Sequence, residues 1–199
     1  MPTENMNVKL LPRLSKKAQD YGFLLKLINM ITGLDQTNKN LITLNENWLF
    51  LNQNFEKVSI FNSSIYNSIN SLNSYVIHDI KHFIDDTISI CWVLSQPAIV
   101  TDVEIDSIGK YKNNTADYHD FDKFNSFFDI VNDIENAYKH HISNNMSSLY
   151  GRDEPCIFAL YAKGNKSFLN PELKGISLKV LVTEFNKFYK YSMNLIEAK

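Results

Sequence analysis

Between Leu44 and Val76 the apolar residues recur with a helical beat. Leu44, Trp48, Leu51, Phe55 and Val58 alternate spacings of four and three, and Ile65, Ile69, Leu72 and Val76 resume the series after Asn62. Such a stripe stays on one side of a helix and cannot stay on one side of a strand. It commits this part of the chain to long helices that must bury a seam. One unbroken helix from Leu41 to Leu94 would reach roughly 80 Å at 1.5 Å per residue. A 199-residue compact domain is expected to break it. The break is expected in NSSIYNSINSLNSY, residues 62–75, where Ser and Asn compete for backbone hydrogen bonds and weaken a helix.

The flanking patterns fill in the rest. Ser15 is placed to cap a first helix from Lys16 to about Ile31, closed by Gly33, with Ala18, Tyr21, Leu25 and Ile28 on its apolar face. A helix from Tyr75 to Leu94 ends before Pro97, and residues 97–119 read as a connection with one short helical turn at most. Another helix runs from about Phe121 to Ser143. SLYGRDEP is a turn, CIFALYA a short strand, and GNKSFLNPELKG a loop able to return as a second strand. Ser177 caps a closing helix of about 178–198, with Leu178, Leu181, Phe185, Phe188 and Leu195 facing the core. The expected fold is mainly α. It is a single-domain helical bundle over about 15–145, with a small β-hairpin near 155–177, in the C-terminal third, and the closing helix. A hydrophobic fraction of 44% with 21% charged residues suits one core of that size.

Charge narrows the partners. The net charge is −2 and Arg13 and Arg152 are the only arginines. Proteins that hold nucleic acid electrostatically carry a basic stripe, so RNA is not favoured beyond brief contact with a substrate. Cys91 and Cys156 sit in apolar runs and read as free buried thiols. MPTENMNVKLLPRLSKK has no apolar signal core, and the longest apolar run, Ile88 to Val100, is interrupted and too short to span a bilayer. A soluble cytoplasmic protein with no membrane partner is the expectation.

Two polar stripes are the candidate site. At about 100° per residue, Asp129, Asp133, Asn136 and His140 share one face of their helix, while Ile130, Ile134 and Tyr138 share another. On the preceding helix His78, His82, Asp85 and Ser89 align in the same way. Each stripe can be the solvated face of an amphipathic helix. The helix of Asp129 is rich in aromatics, however (Phe121, Phe124, Phe127, Phe128 and Tyr138), and its polar stripe then needs partners. We expect a polar cleft or subunit interface, with His78, His82 and Asp85 facing Asp129, Asp133, Asn136 and His140. The structural alternative is a hydrogen bond from His140 to Asp129 or Asp133. Histidines at i and i+4 can ligate a metal, with Asp133 or His140 completing the set. Yet no Glu-x-x-His pair occurs, Glu135 and His140 being five apart, so no metal and no cofactor are expected. No Gly-rich phosphate loop and no nucleophile elbow occurs.

Glu135-Asn136-Ala137-Tyr138-Lys139-His140 resembles the signature of the HEPN (higher eukaryote and prokaryote nucleotide-binding) superfamily. The resemblance covers roughly residues 40–145 as a pattern of helices, and its specific part is those six residues. It implies a small helical bundle, commonly dimeric, of a kind that includes metal-independent ribonucleases of toxin–antitoxin, CRISPR and phage-defence systems. Asn136 and His140 match the family's polar position and histidine, but Glu135 stands where the family has arginine. In such an enzyme His140 would move a proton at the ribose, with Asn136 and Asp133 beside it. The arginine would stabilise charge on the phosphate, which Glu135 would repel; Arg152 or Lys139 would have to reach in from elsewhere. The resemblance therefore implies a diverged, non-catalytic member acting by association in a defence or stress system, as a homodimer or with a protein partner. A ribonuclease using His140 and a metal-binding bundle are the alternatives.

Overall fold

The structure, a computed structural model, describes residues 5–7, 11–54, 63–114, 117–140, 153–161 and 172–199. The Ser15 hydroxyl accepts from the Ala18 amide and caps α1, Lys16–Asp20. The helix stops there because Gly22 takes a φ of 71°, a left-handed conformation that a side chain resists. α2, Phe23–Gln53, then runs straight through Gly33. The helix expected over 16–31 is thus two helices, and the stop lies at Gly22, not Gly33. Leu27 and Leu34 are buried on either side of Gly33, and that packing outweighs the penalty of about 1 kcal/mol for a glycine inside a helix.

α1 acts as a hook. The Lys17 ammonium donates to the Leu94 carbonyl at 3.2 Å and to the Gln96 carbonyl, and the Tyr21 hydroxyl accepts from the Val100 amide at 2.8 Å. These contacts close the end of α3, Ser63–Ser95.

α3 runs through the Ser/Asn-rich tract where the break was expected. Ile69, Val76, Ile77 and Ile80 are buried, and their burial overrides the weak propensity of the Ser and Asn between them. Phe55, Val58 and Asn62 lie outside the described residues. The two long helices are antiparallel: Lys26 pairs with Asp86 at 2.8 Å, and Thr37 donates to Asp79 at 2.9 Å. The seam therefore closes largely within one chain, with Leu34, Leu41 and Leu44 of α2 and Ile69 and Val76 of α3 in one core. Asn73 of α3 is fully buried, and neither atom of its amide has a hydrogen-bond partner among the described residues.

α4, Ile108–Lys112, is the short helical turn expected in the connection. A 3-10 turn, Asp122–Phe124, leads into α5, Asn125–His140, so the regular helix starts four residues later than expected. Residues 141–143 lie outside the described residues. Tyr111, Phe121, Phe124, Phe128 and Phe188 pack in edge-to-face and tilted pairs and join α4 and α5 to the closing helix. Strands β1, Cys156–Tyr161, and β2, Glu172–Ser177, form the antiparallel hairpin, with Phe158 opposite Gly175. A Cβ on Gly175 would lie 3.1 Å from that of Phe158. Ser177 caps α6, Leu178–Ala198, by accepting from the Val180 amide. Leu178, Leu181, Phe185 and Phe188 are buried as expected, and Leu195 packs at the core's edge.

The fold is mainly helical, and α3 is its hub: α2, α5 and α6 all pack on it, and the hairpin packs on α5. Cys91 is buried, whereas Cys156, expected to be buried, is half-buried at the start of β1. No helix among the described residues is long and apolar enough to cross a membrane.

Candidate functional site

α5 follows the amphipathic reading. Phe127, Phe128, Val131, Ile134 and Ala137 are buried, and Asp129, Asp133 and Asn136 are half-buried. The partners of the stripe are lysines from other elements. Lys112 of α4 pairs with Asp129, and Lys174 of β2 lies 3.4 Å from Asp133 and 2.9 Å from Glu172. The carboxylates of Glu172 and Asp133 hold the Lys174 ammonium above its ordinary pKa. The hairpin, not the His78 helix, therefore supplies the partner of Asp133. His140 is the last residue of α5, and its side chain lies outside the described residues.

The stripe on α3 is also divided among separate tasks. Asp85 accepts from Lys81 at 2.6 Å and from the Ile108 amide at 2.8 Å, which anchors the start of α4. His82 is exposed, with its ring edge-on to His78 at 4.2 Å. His78 reaches α5, and what it meets there is Glu135: its Nδ1 lies 3.2 Å from Oε1. An ionised carboxylate only accepts, so Nδ1 carries the hydrogen.

Glu135 is the residue that the reading of the stripes passed over as a site. It is only 2% exposed. Oε1 takes both His78 and Lys139, while Oε2 is buried with no hydrogen-bond partner among the described residues. Burial pushes its carboxyl up, but Lys139 and His78 outweigh burial and hold the pKa below its ordinary value. The group is a carboxylate at neutral pH, buried between α5 and α3. A signal in the sequence could have found it. Glu135 stands seven residues after Phe128 and four after Val131, on the buried side of α5 and away from the Asp129 stripe.

Other chemistry finds little support. Burial pushes the Cys91 thiol far up, and burial with the nearby Glu154 raises Cys156, so neither is poised as a thiolate. Among the described residues no three His, Cys, Asp or Glu side chains gather as a metal site. Comparison with protein-family models, with curated proteins and with solved structures finds no match to this chain.

Proposed function

We propose that the protein is a HEPN-like helical-bundle module that acts by association, as a homodimer or with a protein partner in a defence or stress system, and does not cleave RNA. The observation that carries this reading is the state of Glu135. At the position where the resembled motif has its arginine, the chain buries an ionised carboxylate and ties it to His78 and Lys139. That arrangement opposes a phosphate where a ribonuclease would attract one. Asp129 and Asp133 are held by Lys112 and Lys174, which suits a stripe that locks the hairpin and α4 onto α5.

The test is single-stranded RNA incubated with the purified protein in the presence of a metal chelator. The expected result is no cleavage above buffer, and no difference between the wild type and His140→Ala. Cleavage that disappears in His140→Ala at unchanged melting temperature overturns the reading and restores the ribonuclease alternative.

A further inference from the structure

α2 buries one side and leaves the other bare. Its buried residues, Leu27, Leu34, Thr37, Leu41 and Leu44, face the core. Leu24, Leu25, Ile28, Ile42, Leu49 and Phe50 all lie on the opposite side and are exposed, Leu25 by 66% and Leu24 and Phe50 by 48% each. They account for six of the eleven exposed large apolar side chains among the described residues. Such a concentration on one helix face is the mark of an interaction surface, whereas singly scattered apolar residues are not.

The pattern along this face specifies what covers it. Ile28, Asp35, Ile42 and Leu49 recur at intervals of seven, the beat of a coiled-coil seam. Both ends of the stripe are apolar. Its middle carries Asp35 and Lys39, both exposed. Reversed on itself, the stripe sets apolar on apolar at its ends and opposite charges at its centre. Laid antiparallel and centred on residue 37, Leu24 meets Phe50, Leu25 meets Leu49, Thr32 meets Ile42, and Asp35 of each helix meets Lys39 of the other, with Glu46 beside Ile28. A parallel pairing would set Asp35 on Asp35 and Lys39 on Lys39. The shallow depression lined by Gly22, Leu25, Lys26, Asn29, Met30 and Asp86 lies beside the same end of the stripe, where that register brings the other helix's Phe50.

We infer that the outward face of α2 is the docking surface for a second copy of this chain, in an antiparallel pair about a two-fold axis near residue 37. The inference rests on the association reading above and names its partner and surface. The stripe from Leu24 to Phe50 runs about 40 Å at 1.5 Å per residue. That length makes contact along a whole helix, in the isologous manner of a two-fold dimer.

Sedimentation equilibrium of the full chain at micromolar concentrations tests it. The wild type is expected at twice its 23.0 kDa mass. Leu25→Glu is expected to weaken dimerisation by about tenfold or more. Asp35→Lys alone and Lys39→Asp alone each juxtapose like charges and weaken the dimer, while an equimolar mixture of the two restores it as a heterodimer. These charge swaps sit on an exposed face, so they decide the matter even if Leu25→Glu folds poorly. A wild type that stays monomeric overturns the inference. A dimer untouched by all three substitutions also overturns it, because the pairing then uses another face and only the association reading survives. Failure of the mixture to restore the dimer overturns the antiparallel register.

Discussion

Replacing Glu135 with Gln isolates the buried charge, since the amide keeps the shape and removes the carboxylate. Two hydrogen bonds to a charged acceptor are weakened, from Lys139 and His78. Each is worth about 1.5–3 kcal/mol when the group is enclosed. Both donors are roughly two-fifths exposed, 44% and 42%, so solvent screens much of that. Removing the charge also relieves the desolvation of Glu135. The expected net loss is about 1–2 kcal/mol at pH 7, which lowers Tm by about 3–6 °C in a chain of this length. The pH dependence carries the decisive sign. The Glu135 pKa is depressed in the fold, so its contribution is present above the unfolded pKa and disappears as pH falls through the folded value. The gap between wild type and Glu135→Gln should therefore be full at pH 7 and narrow as the pH falls below the ordinary glutamate range. Thermal melts followed by circular dichroism at pH 7, 5, 4 and 3 measure it. Equal melting temperatures at pH 7, or a gap as wide at pH 3 as at pH 7, would refute the reasoning.

Three further outcomes follow from single positions. Asn73→Leu removes a buried amide with no partner among the described residues, and should raise stability by about 1–2 kcal/mol, read as a higher urea midpoint at unchanged slope; a lower midpoint would mean the amide is used. Gly175→Ala forces a Cβ against that of Phe158 at 3.1 Å, and should cost about 1 kcal/mol in a thermal melt, with no loss expected from Gly33→Ala, where nothing lies within 4 Å. Gly22→Ala meets open space but a φ of 71°, so it should cost about 1–2 kcal/mol through strain alone; a melting temperature at or above wild type would argue against a left-handed residue there.

The closing helix and the hairpin were legible because their signals are local: Ser177 before an apolar stripe, and two short apolar runs separated by a turn-rich loop. The two long helices were legible in type but not in extent. Gly22 and Gly33 are the same residue type, and the packing of Leu27 and Leu34 decides which one the helix crosses. The Ser/Asn tract misled for the same reason, since Ile69, Val76 and Ile77 find a tertiary partner that propensity does not count. The polar stripe on α5 was real as a face, but its partners, Lys112 and Lys174, come from a five-residue helix and a strand edge that no periodicity connects to it. Glu135 was passed over because an acid on an apolar arc reads as an irregularity until the facing His78 is known. The exposed side of α2 was hidden by the assumption that Leu25 and Ile28 belonged to a core face.

The α1 hook changes which parts of the molecule open together. A helix C-terminus ordinarily frays, because its last carbonyls lack partners within the helix. Here Lys17 serves the carbonyls of Leu94 and Gln96, and Tyr21 serves the amide of Val100, from nearly eighty positions away in the chain. The end of α3 is therefore tied to the beginning of the fold, and the Val100 amide, whose acceptor is the Tyr21 hydroxyl, is expected to exchange when α1 lifts. A contact between positions 79 apart in the chain is expected to form once the α2–α3 pair has brought its two ends together.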